Sequence, residues 1–346
     1  MKRFFLYLIF FILICFIIPA ILTKKTVTTG VDQSEENMEQ NQVQAETKNE
    51  VKEEANIENY QYNKYGTIML LHKKEGNVEE VNIDEYLYHV VSAEMPATFE
   101  IEALRAQAIV ARTYTIFKIL NKKHDNADIC DDSTCCQAWV SKETRLARWN
   151  ENEREANWQK ICNAVNSTKG KIVTYENKPI NAFFHSNSGG VTEVPINVWG
   201  GTGYPYLQSV ATAGEDGYTQ YASEVILTRT ELLNKLKAKY SDISINFSNP
   251  EEIKILEYTG SNRVKTLKIG NHNLSGVEAR TIFGLKSANF EIAQEGENIK
   301  FTVKGYGHGV GMSQTGADAM AKQGSTAEEI ITHFYTGIAI QDTNSL

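Results

Sequence analysis

A helical segment that is apolar on both sides limits how this chain can fold. It lies within residues 90–114, VVSAEMPATFEIEALRAQAIVARTY, and predicts a helix over about 100–121. A helix that is apolar all round lies inside a protein. Arg105 and Arg112 fall beside one apolar line of this helix. Because an unpaired buried charge is costly, each guanidinium there requires an acceptor.

Glu94 is a candidate catalytic carboxyl because its sequence neighbours are apolar: Val90, Val91, Ala93, Met95, Pro96 and Phe99. Pro96 ends any helix that runs through Glu94 and leaves the carboxyl at a turn. Two interpretations follow from this pattern. Glu94 is either an acid in a partly dry pocket or a solvated carboxylate at a helix end.

Nineteen uncharged residues at 4–22 predict an N-terminal transmembrane anchor, which we assign to residues 1–25. At 1.5 Å per residue they span roughly 28 Å, close to the thickness of a hydrocarbon core. Lys2 and Arg3 favour a cytoplasmic N-terminus, with the remainder of the chain outside. The alternative is a cleaved signal peptide, whose apolar region is shorter, at about 7–15 residues.

Residues 26–59 predict a disordered linker. They contain nine acidic and two basic residues and no aromatic one. Such a segment buries too little apolar surface to offset the entropy cost of ordering. The linker therefore carries most of the chain's formal net charge of −8. The sequence contains no stripe of basic residues of the kind that would indicate nucleic-acid binding.

Residues 60–346 predict one extracytoplasmic catalytic domain of the α+β class. Helices and antiparallel strands are mixed around the central buried helix without a regular βαβ alternation. A hairpin is predicted at 66–83, with Asp84 as the cap of the following helix. Further helices are predicted at 143–166, 229–239, 275–283 and 326–335, and strands at 171–175, 179–185, 206–210, 253–258, 263–269 and 299–304.

The segment HDNADICDDSTCCQAW, residues 124–139, is a candidate zinc site. Imidazole and thiolate suit tetrahedral zinc, and His124, Cys130 and Cys136 are six residues apart each time. We expect these three ligands, with water, Asp131 or Asp132 in the fourth position. The alternative is a disulfide between Cys130 and one of the adjacent cysteines, as is common outside the membrane.

The segment FFHSNSGG, residues 183–190, follows an apolar run and ends on two glycines. Small polar groups on such a turn can donate hydrogen bonds to a polar ligand at close range. Ser186 and Ser188 are therefore candidate substrate-binding residues. The alternative is a strand that simply ends in a turn.

Two further glycine-rich segments carry candidate binding residues. Residues 198–207, VWGGTGYPYL, present aromatic rings that suit either a sugar platform or packing, and Tyr204 is the candidate there. Residues 305–317, GYGHGVGMSQTGA, alternate glycines around His308 and then predict a helix start near Ser313. Glycines and free helix N–H groups allow a ligand to approach the backbone, so His308 and Gln314 are candidates.

The four motifs at 93–114, 183–190, 198–201 and 305–317 together resemble the stage II sporulation protein D family, which includes the amidase enhancers. The resemblance covers about residues 60–340. It implies a peptidoglycan lytic transglycosylase that cleaves the MurNAc–GlcNAc bond of peptide-free glycan strands, with Glu94 as the acid and then the base. It further implies zinc at the cysteine segment, which we expect to be structural. A close guanidinium would lower the pKa of Glu94, so we expect Arg112 to bind substrate or hold loops instead of pairing tightly with Glu94.

The resemblance also implies a setting for the enzyme. The protein would be a single-pass membrane protein of the mother cell that faces the forespore envelope during engulfment. A partner amidase or endopeptidase and a membrane scaffold protein would share its complex. Two alternatives remain: a non-catalytic wall-binding activator of an amidase, and a Cys/His hydrolase that uses Cys130 or Cys136.

Overall fold

The computed structural model describes residues 59–346. The predicted anchor at 1–25 and all but the last residue of the predicted linker at 26–59 lie outside the described residues. Within 59–346, no helix combines the length and the apolar character that a membrane crossing requires.

A long buried helix, α2, forms the centre of the larger core. The chain reaches it through the hairpin β1 (Thr67–His72) and β2 (Asn77–Asn82) and the helix α1 (Ile83–Glu94). Helix α2 spans Ile101–Leu120, and thirteen of its twenty residues are buried. The prediction of a central buried helix is therefore confirmed, because the helix meets protein on all sides.

The cap of α1 differs from the prediction. The side chain of Asn82 accepts hydrogen bonds from the backbone N–H groups of Asp84 and Glu85, so Asn82 is the cap. Asp84 lies in the first turn, where its carboxylate accepts from the guanidinium of Arg112 at 3.2 Å. The prediction of Asp84 as the cap was wrong because this carboxylate serves a buried arginine instead.

The helix predicted at 143–166 is two helices, α3 (Lys142–Ala147) and α4 (Arg154–Asn166). Asn150 adopts an extended backbone between them, and a 3₁₀ turn at Glu151–Glu153 leads into α4. Strand β3 (Ile129–Cys130) precedes them and pairs in parallel with β1, which joins the cysteine segment to the hairpin.

The rest of the larger core comes from short elements of both chain halves. They are β4 (Lys171–Tyr175), β5 (Lys178–Pro179), β6 (Phe184–His185), α5 (Pro195–Trp199), β13 (Met312–Ser313), α8 (Gln314–Lys322), α9 (Ala327–Phe334) and β14 (Ala339–Asp342). The strand predicted at 179–185 is thus two short strands. The segment at 206–210, predicted as a strand, forms none. The backbone N–H of Leu207 donates to the carbonyl of Tyr204 in a turn, and the hydroxyl of Tyr206 accepts from the backbone N–H of Asn181 at 3.0 Å.

A second, smaller core is formed by the stretch of sequence between these two parts, residues 222–304. Its elements are β7 (Ala222–Thr228), α6 (Arg229–Lys237), β8 (Ile253–Tyr258), β9 (Val264–Ile269), β10 (His272–Ser275), α7 (Gly276–Phe283), β11 (Phe290–Glu295) and β12 (Asn298–Lys304). The strands form two three-stranded antiparallel sheets, in the orders β10-β9-β8 and β11-β12-β7. The α+β class is therefore confirmed, and both cores belong to one compact unit.

Candidate active site

A cavity of about 720 Å³ lies where the larger core meets helix α7 and the glycine-rich segment before β13. Its wall combines the end of α1, the second half of α2, the cysteine segment and strand β6. Among the candidates from the sequence, the cavity brings together Glu94, Cys136, Ser186, His308 and Gln314. Residues more than two hundred positions apart therefore share one pocket.

Glu94 is the one carboxylate among the described residues that line this cavity. Its Oε1 accepts a hydrogen bond from the backbone N–H of Ala138 at 2.7 Å, and its Oε2 accepts from Gln314 Nε2 at 3.4 Å. Burial raises the pKa of Glu94 above its ordinary value, and these two hydrogen bonds offset part of that rise. A carboxyl with a raised pKa is suited to donate a proton.

Gln314 reaches Glu94 because of how helix α8 begins. The side chain of Ser313 caps α8 by accepting from the backbone N–H of Gly316, and β13 pairs in parallel with β6. This pairing holds the first residue of α8 against α2, where Gln314 Nε2 also lies 3.4 Å from Gln107 Oε1. Gln314 thus links the candidate acid to the central helix.

His308 lies in the cavity wall in a neutral state. Burial lowers its pKa well below the ordinary value, and nearby His185 and the guanidinium of Arg280 lower it further. Its Nδ1 accepts a hydrogen bond from the backbone N–H of Val310 at 3.0 Å. The imidazole therefore adds no charge to the cavity wall.

Two of the glycines around His308 serve protein packing, whereas Gly307 lines the cavity. Gly311 has φ +72°, and a Cβ there would collide with the carbonyl of Phe183. Gly309 has φ +83°, and a Cβ there would collide with the guanidinium of Arg263. These two positions require glycine because the left-handed backbone and the close neighbours both exclude a side chain.

The two serine candidates separate in the structure. Ser186 lines the cavity. Ser188 is fully buried, and its hydroxyl bonds the carboxylate of Glu215 and the hydroxyl of Thr212. Glu215 also accepts hydrogen bonds from Ser313 and Thr315, so it ties the turn after β6 to the start of α8. The proposed substrate contact of Ser188 is not available because its hydroxyl is occupied by Glu215.

The aromatic side of the cavity is built by Trp199 and Phe183, whose rings lie 4.6 Å apart. Tyr204 does not line the cavity. Its hydroxyl accepts from Asn181 Nδ2 at 3.2 Å, and its ring packs 5.4 Å from Tyr206. The structure therefore assigns Tyr204 to packing and leaves Trp199, which is half-exposed, as the aromatic face of the pocket.

Arg112 is also removed from the substrate-binding candidates. Its side chain is fully buried, and its guanidinium donates to Asp84 and to the carbonyls of Val165, Thr168 and Lys171. It does not line the cavity. The second expected role, that of holding loops, agrees with these contacts, because the arginine bonds the end of α4 and the start of β4.

The structure gathers His124, Cys130, Cys135 and Cys136 into one cluster, with all four ligand atoms within 4.8 Å of one another. Zinc bonds of about 2.3 Å to sulfur and 2.0–2.1 Å to nitrogen place tetrahedral ligand atoms about 3.5–3.8 Å apart. His124 Nε2 lies 3.8 Å from Cys135 Sγ and 3.6 Å from Cys136 Sγ. This donor set fits zinc.

Two details of the predicted metal site change. Cys135 joins the cluster, although adjacent cysteines were expected to supply only one ligand. Asp131 and Asp132 point elsewhere, since Asp131 bonds His72 and Asp132 bonds Lys73. The alternative disulfide is not formed, because the three cysteines are free.

Tyr114, Lys118 and Arg280 also line the cavity and were not predicted. Tyr114 and Lys118 follow the apolar part of α2, where the sequence offers only a continuing helix. Arg280 comes from α7 in the smaller core, and no local motif distinguishes it from a solvent-exposed helical arginine.

Known proteins resemble this chain over most of its length. Residues 72–175 match the family model described as Stage II sporulation protein. The chain is 37% identical over 272 residues to stage II sporulation protein D of Bacillus subtilis (strain 168). That alignment covers 78% of this chain and 77% of the relative. The chain is 28% identical over 299 residues to the amidase enhancer of the same organism, covering 72% of this chain and 39% of that one. The chain therefore belongs to the stage II sporulation protein D family.

Proposed function

We propose that the protein is a lytic transglycosylase that cleaves the bond between MurNAc and GlcNAc in peptide-free glycan strands. The observation that carries this proposal is the single carboxyl of Glu94, with a raised pKa, in a cavity that has an aromatic wall. A hydrolase of the usual two-carboxylate kind needs a second acid near the first. A transglycosylase needs one, because the substrate supplies its own nucleophile.

The reaction follows from one carboxyl acting twice. Glu94 in its acid form donates its proton to the glycosidic oxygen, and the bond from C1 of MurNAc to that oxygen breaks. The carboxylate of Glu94 then accepts the proton of the MurNAc 6-hydroxyl, whose oxygen bonds to C1 and closes the anhydro ring. The proton balance is restored and no water is consumed.

The proposal is tested by mass analysis of the products that the purified full chain releases from peptide-free glycan strands. Closure by the 6-hydroxyl gives anhydro-muramyl ends, which weigh one water less than reducing ends. We expect anhydro ends alone. Reducing muramyl ends would instead indicate hydrolysis, and intact strands would contradict an enzyme role.

The rate should depend on pH in a direction set by Glu94. Only the protonated carboxyl donates in the first step, so kcat/KM should fall as pH rises through its raised pKa. Gln314→Leu removes a hydrogen bond that lowers this pKa, so the falling limb should move to higher pH. The measurement is a pH profile of both proteins, and a limb that stays in place would remove Gln314 from this role.

Zinc is proposed to have a structural function at this site. Held by His124, Cys130, Cys135 and Cys136, it would cross-link the segment that leads to Ala138, whose N–H bonds Glu94. The purified full chain is expected to contain about one zinc. Cys130→Ser should remove the metal and lower both the melting temperature and the rate, the rate by at least about tenfold.

The matched control for the metal is Cys162→Ser, which changes a free cysteine outside the cluster. It should leave zinc content, melting temperature and rate unchanged. Protein that is fully active without metal after chelation would contradict the structural role. Loss of activity on thiol alkylation in metal-free protein would instead favour a cysteine hydrolase.

A non-catalytic role is the second candidate, favoured by the similarity to a protein named amidase enhancer. In that case the cavity binds wall glycan and the protein activates a partner amidase. The two roles separate cleanly, because amidase activation would survive the loss of Glu94 whereas anhydro products would not.

The cellular setting is also part of the proposal. The apolar run at 4–22 would anchor the protein in the mother-cell membrane, and residues 26–59 would tether the catalytic domain on the outer side, facing the forespore envelope. A partner amidase or endopeptidase and a membrane scaffold protein would place the enzyme beside its substrate during engulfment. Co-purification of the full chain from sporulating cells tests this assembly.

A further inference from the structure

Arg280 is an unpaired cation in the candidate active site. It lies on helix α7 of the smaller core and lines the same cavity as Glu94. Its guanidinium makes no hydrogen bond and no ion pair with any residue in the described part of the chain. Its neighbour Arg263 differs, because that guanidinium donates to the carbonyls of Val191 and Ser188. Arg280 therefore retains five donors that the protein does not use.

No carboxylate pairs with Arg280. Glu193 shares a small second pocket with it, but that carboxylate accepts hydrogen bonds from Asn197, Thr259 and Ser261. Glu94 is the one carboxylate among the described residues that line the cavity, and no ion pair joins it to Arg280. His185 and His308 lie on the same side as Arg280 and are neutral, since burial and nearby cations lower the pKa of each. A half-buried guanidinium is costly without an anion, so a ligand is expected to bring one.

MurNAc carries one group of the required kind. Its lactyl ether ends in a carboxyl that is joined to the stem peptide as a neutral amide. When a hydrolase removes the peptide, this carboxyl becomes a free carboxylate. An arginine fork matches a carboxylate with two parallel hydrogen bonds, which a neutral amide cannot accept in the same way.

We propose that Arg280 binds the free lactyl carboxylate of MurNAc and thereby selects glycan strands from which the stem peptide has been removed. This inference rests on the proposed function, because it places a MurNAc residue in the cavity. Selection then requires no contact with the peptide, since removal of the peptide itself creates the charge that Arg280 binds.

The second cation of the cavity wall fits this role less well. Lys118 Nζ already lies 5.0 Å above the ring of Tyr114, and an ammonium offers no planar fork. Lys118 also belongs to α2, on the cysteine side of the cavity, whereas Arg280 comes from the opposite core. The carboxylate is therefore assigned to Arg280.

The test compares three substrates with the purified full chain. They are peptide-free strands, peptide-free strands whose lactyl carboxylates have been converted to methylamides, and strands that keep their stem peptides. The methylamide removes the charge without adding the bulk of a peptide. Charge-assisted hydrogen bonds of this kind predict that the free carboxylate raises kcat/KM by about 10- to 100-fold over the methylamide.

The variants then assign this preference to Arg280. Arg280→Gln should cleave free and methylamide strands at nearly equal rates, and Arg280→Lys should keep part of the preference. The matched control is Lys286→Gln. Lys286 is a nearby cation that does not line the cavity, and its Nζ lies 5.1 Å from the ring centroid of Tyr306. This variant should keep the full preference. A merely structural role of Arg280 would slow both substrates alike and leave their ratio unchanged.

Binding measurements separate this inference from the proposed function. If the wild type makes no anhydro products from any strand, the transglycosylase proposal fails, but Arg280 can still be tested by titrating Glu94→Gln with the free and the methylamide strands. Tighter binding of the free form that disappears on adding Arg280→Gln supports the inference. Equal affinity for both forms, or a preference that survives the change at Arg280, overturns it.

Discussion

Glu94→Gln is expected to lower the rate of anhydro-muramyl product formation by about a thousandfold or more. General acid or base catalysis by one side chain contributes about 10²–10⁴-fold, and Glu94 is proposed to act in both steps. Glutamine keeps the size of the side chain and can accept from the N–H of Ala138, but it carries no transferable proton. The measurement is the initial rate of product release from peptide-free strands.

The stability of this variant provides its own control. A raised pKa means that folding favours the protonated carboxyl, so stability from this group is present at low pH and is lost as pH rises through the folded-state pKa. Glutamine carries no charge, so the variant avoids the free-energy cost of burying an ionised carboxylate. Glu94→Gln should therefore be as stable as the wild type or more stable above the raised pKa, as measured by thermal unfolding at several pH values.

The matched control for activity is Glu85→Gln, which changes an exposed carboxylate on the same helix. It should keep the wild-type rate. A Glu94→Gln protein that is folded and still releases anhydro ends at the wild-type rate would contradict the assignment of the acid. If the same protein also activated a partner amidase, the non-catalytic role would take its place.

The sequence predicted the central part of the site because two local signals coincide there. The two-sided apolar pattern marks α2 as buried, and Pro96 ends α1 just after Glu94. Burial along one helix and the end of the preceding one are local properties, so they are visible in residue order. The raised pKa of Glu94 follows from the same burial.

Contacts between distant segments could not be predicted in this way. Ser188 and Tyr204 have the composition of binding residues, yet Glu215 and Asn181 occupy their hydroxyls. The sequence around Glu215 predicts an ordinary polar loop, and no local pattern indicates that this carboxylate is buried. Arg280 is the opposite case, since an unremarkable helical arginine becomes unpaired only because its core packs beside the cavity.

Arg112→Met is expected to lower the free energy of unfolding by about 3–5 kcal/mol, which is the typical effect of removing one partner of a buried ion pair. The change leaves the carboxylate of Asp84 buried without its cation. It also leaves the carbonyls of Val165 and Thr168, at the end of α4, without the guanidinium that bonds them. The measurement is equilibrium unfolding in urea.

A second substitution separates the contribution of the Arg112–Asp84 ion pair to stability from that of the carbonyl contacts. Asp84→Leu in the Arg112→Met background removes the uncompensated carboxylate, so the double variant should be more stable than Arg112→Met alone. Arg105→Met is the matched control on the same helix, because that arginine is partly exposed and pairs with Glu102 near the surface. Exposed pairs contribute about 0–1 kcal/mol, so this control should change stability little.

One outcome would contradict the loop-holding role of Arg112. If Arg112→Met lowered the free energy of unfolding as little as Arg105→Met but reduced substrate binding, the guanidinium would act on the ligand.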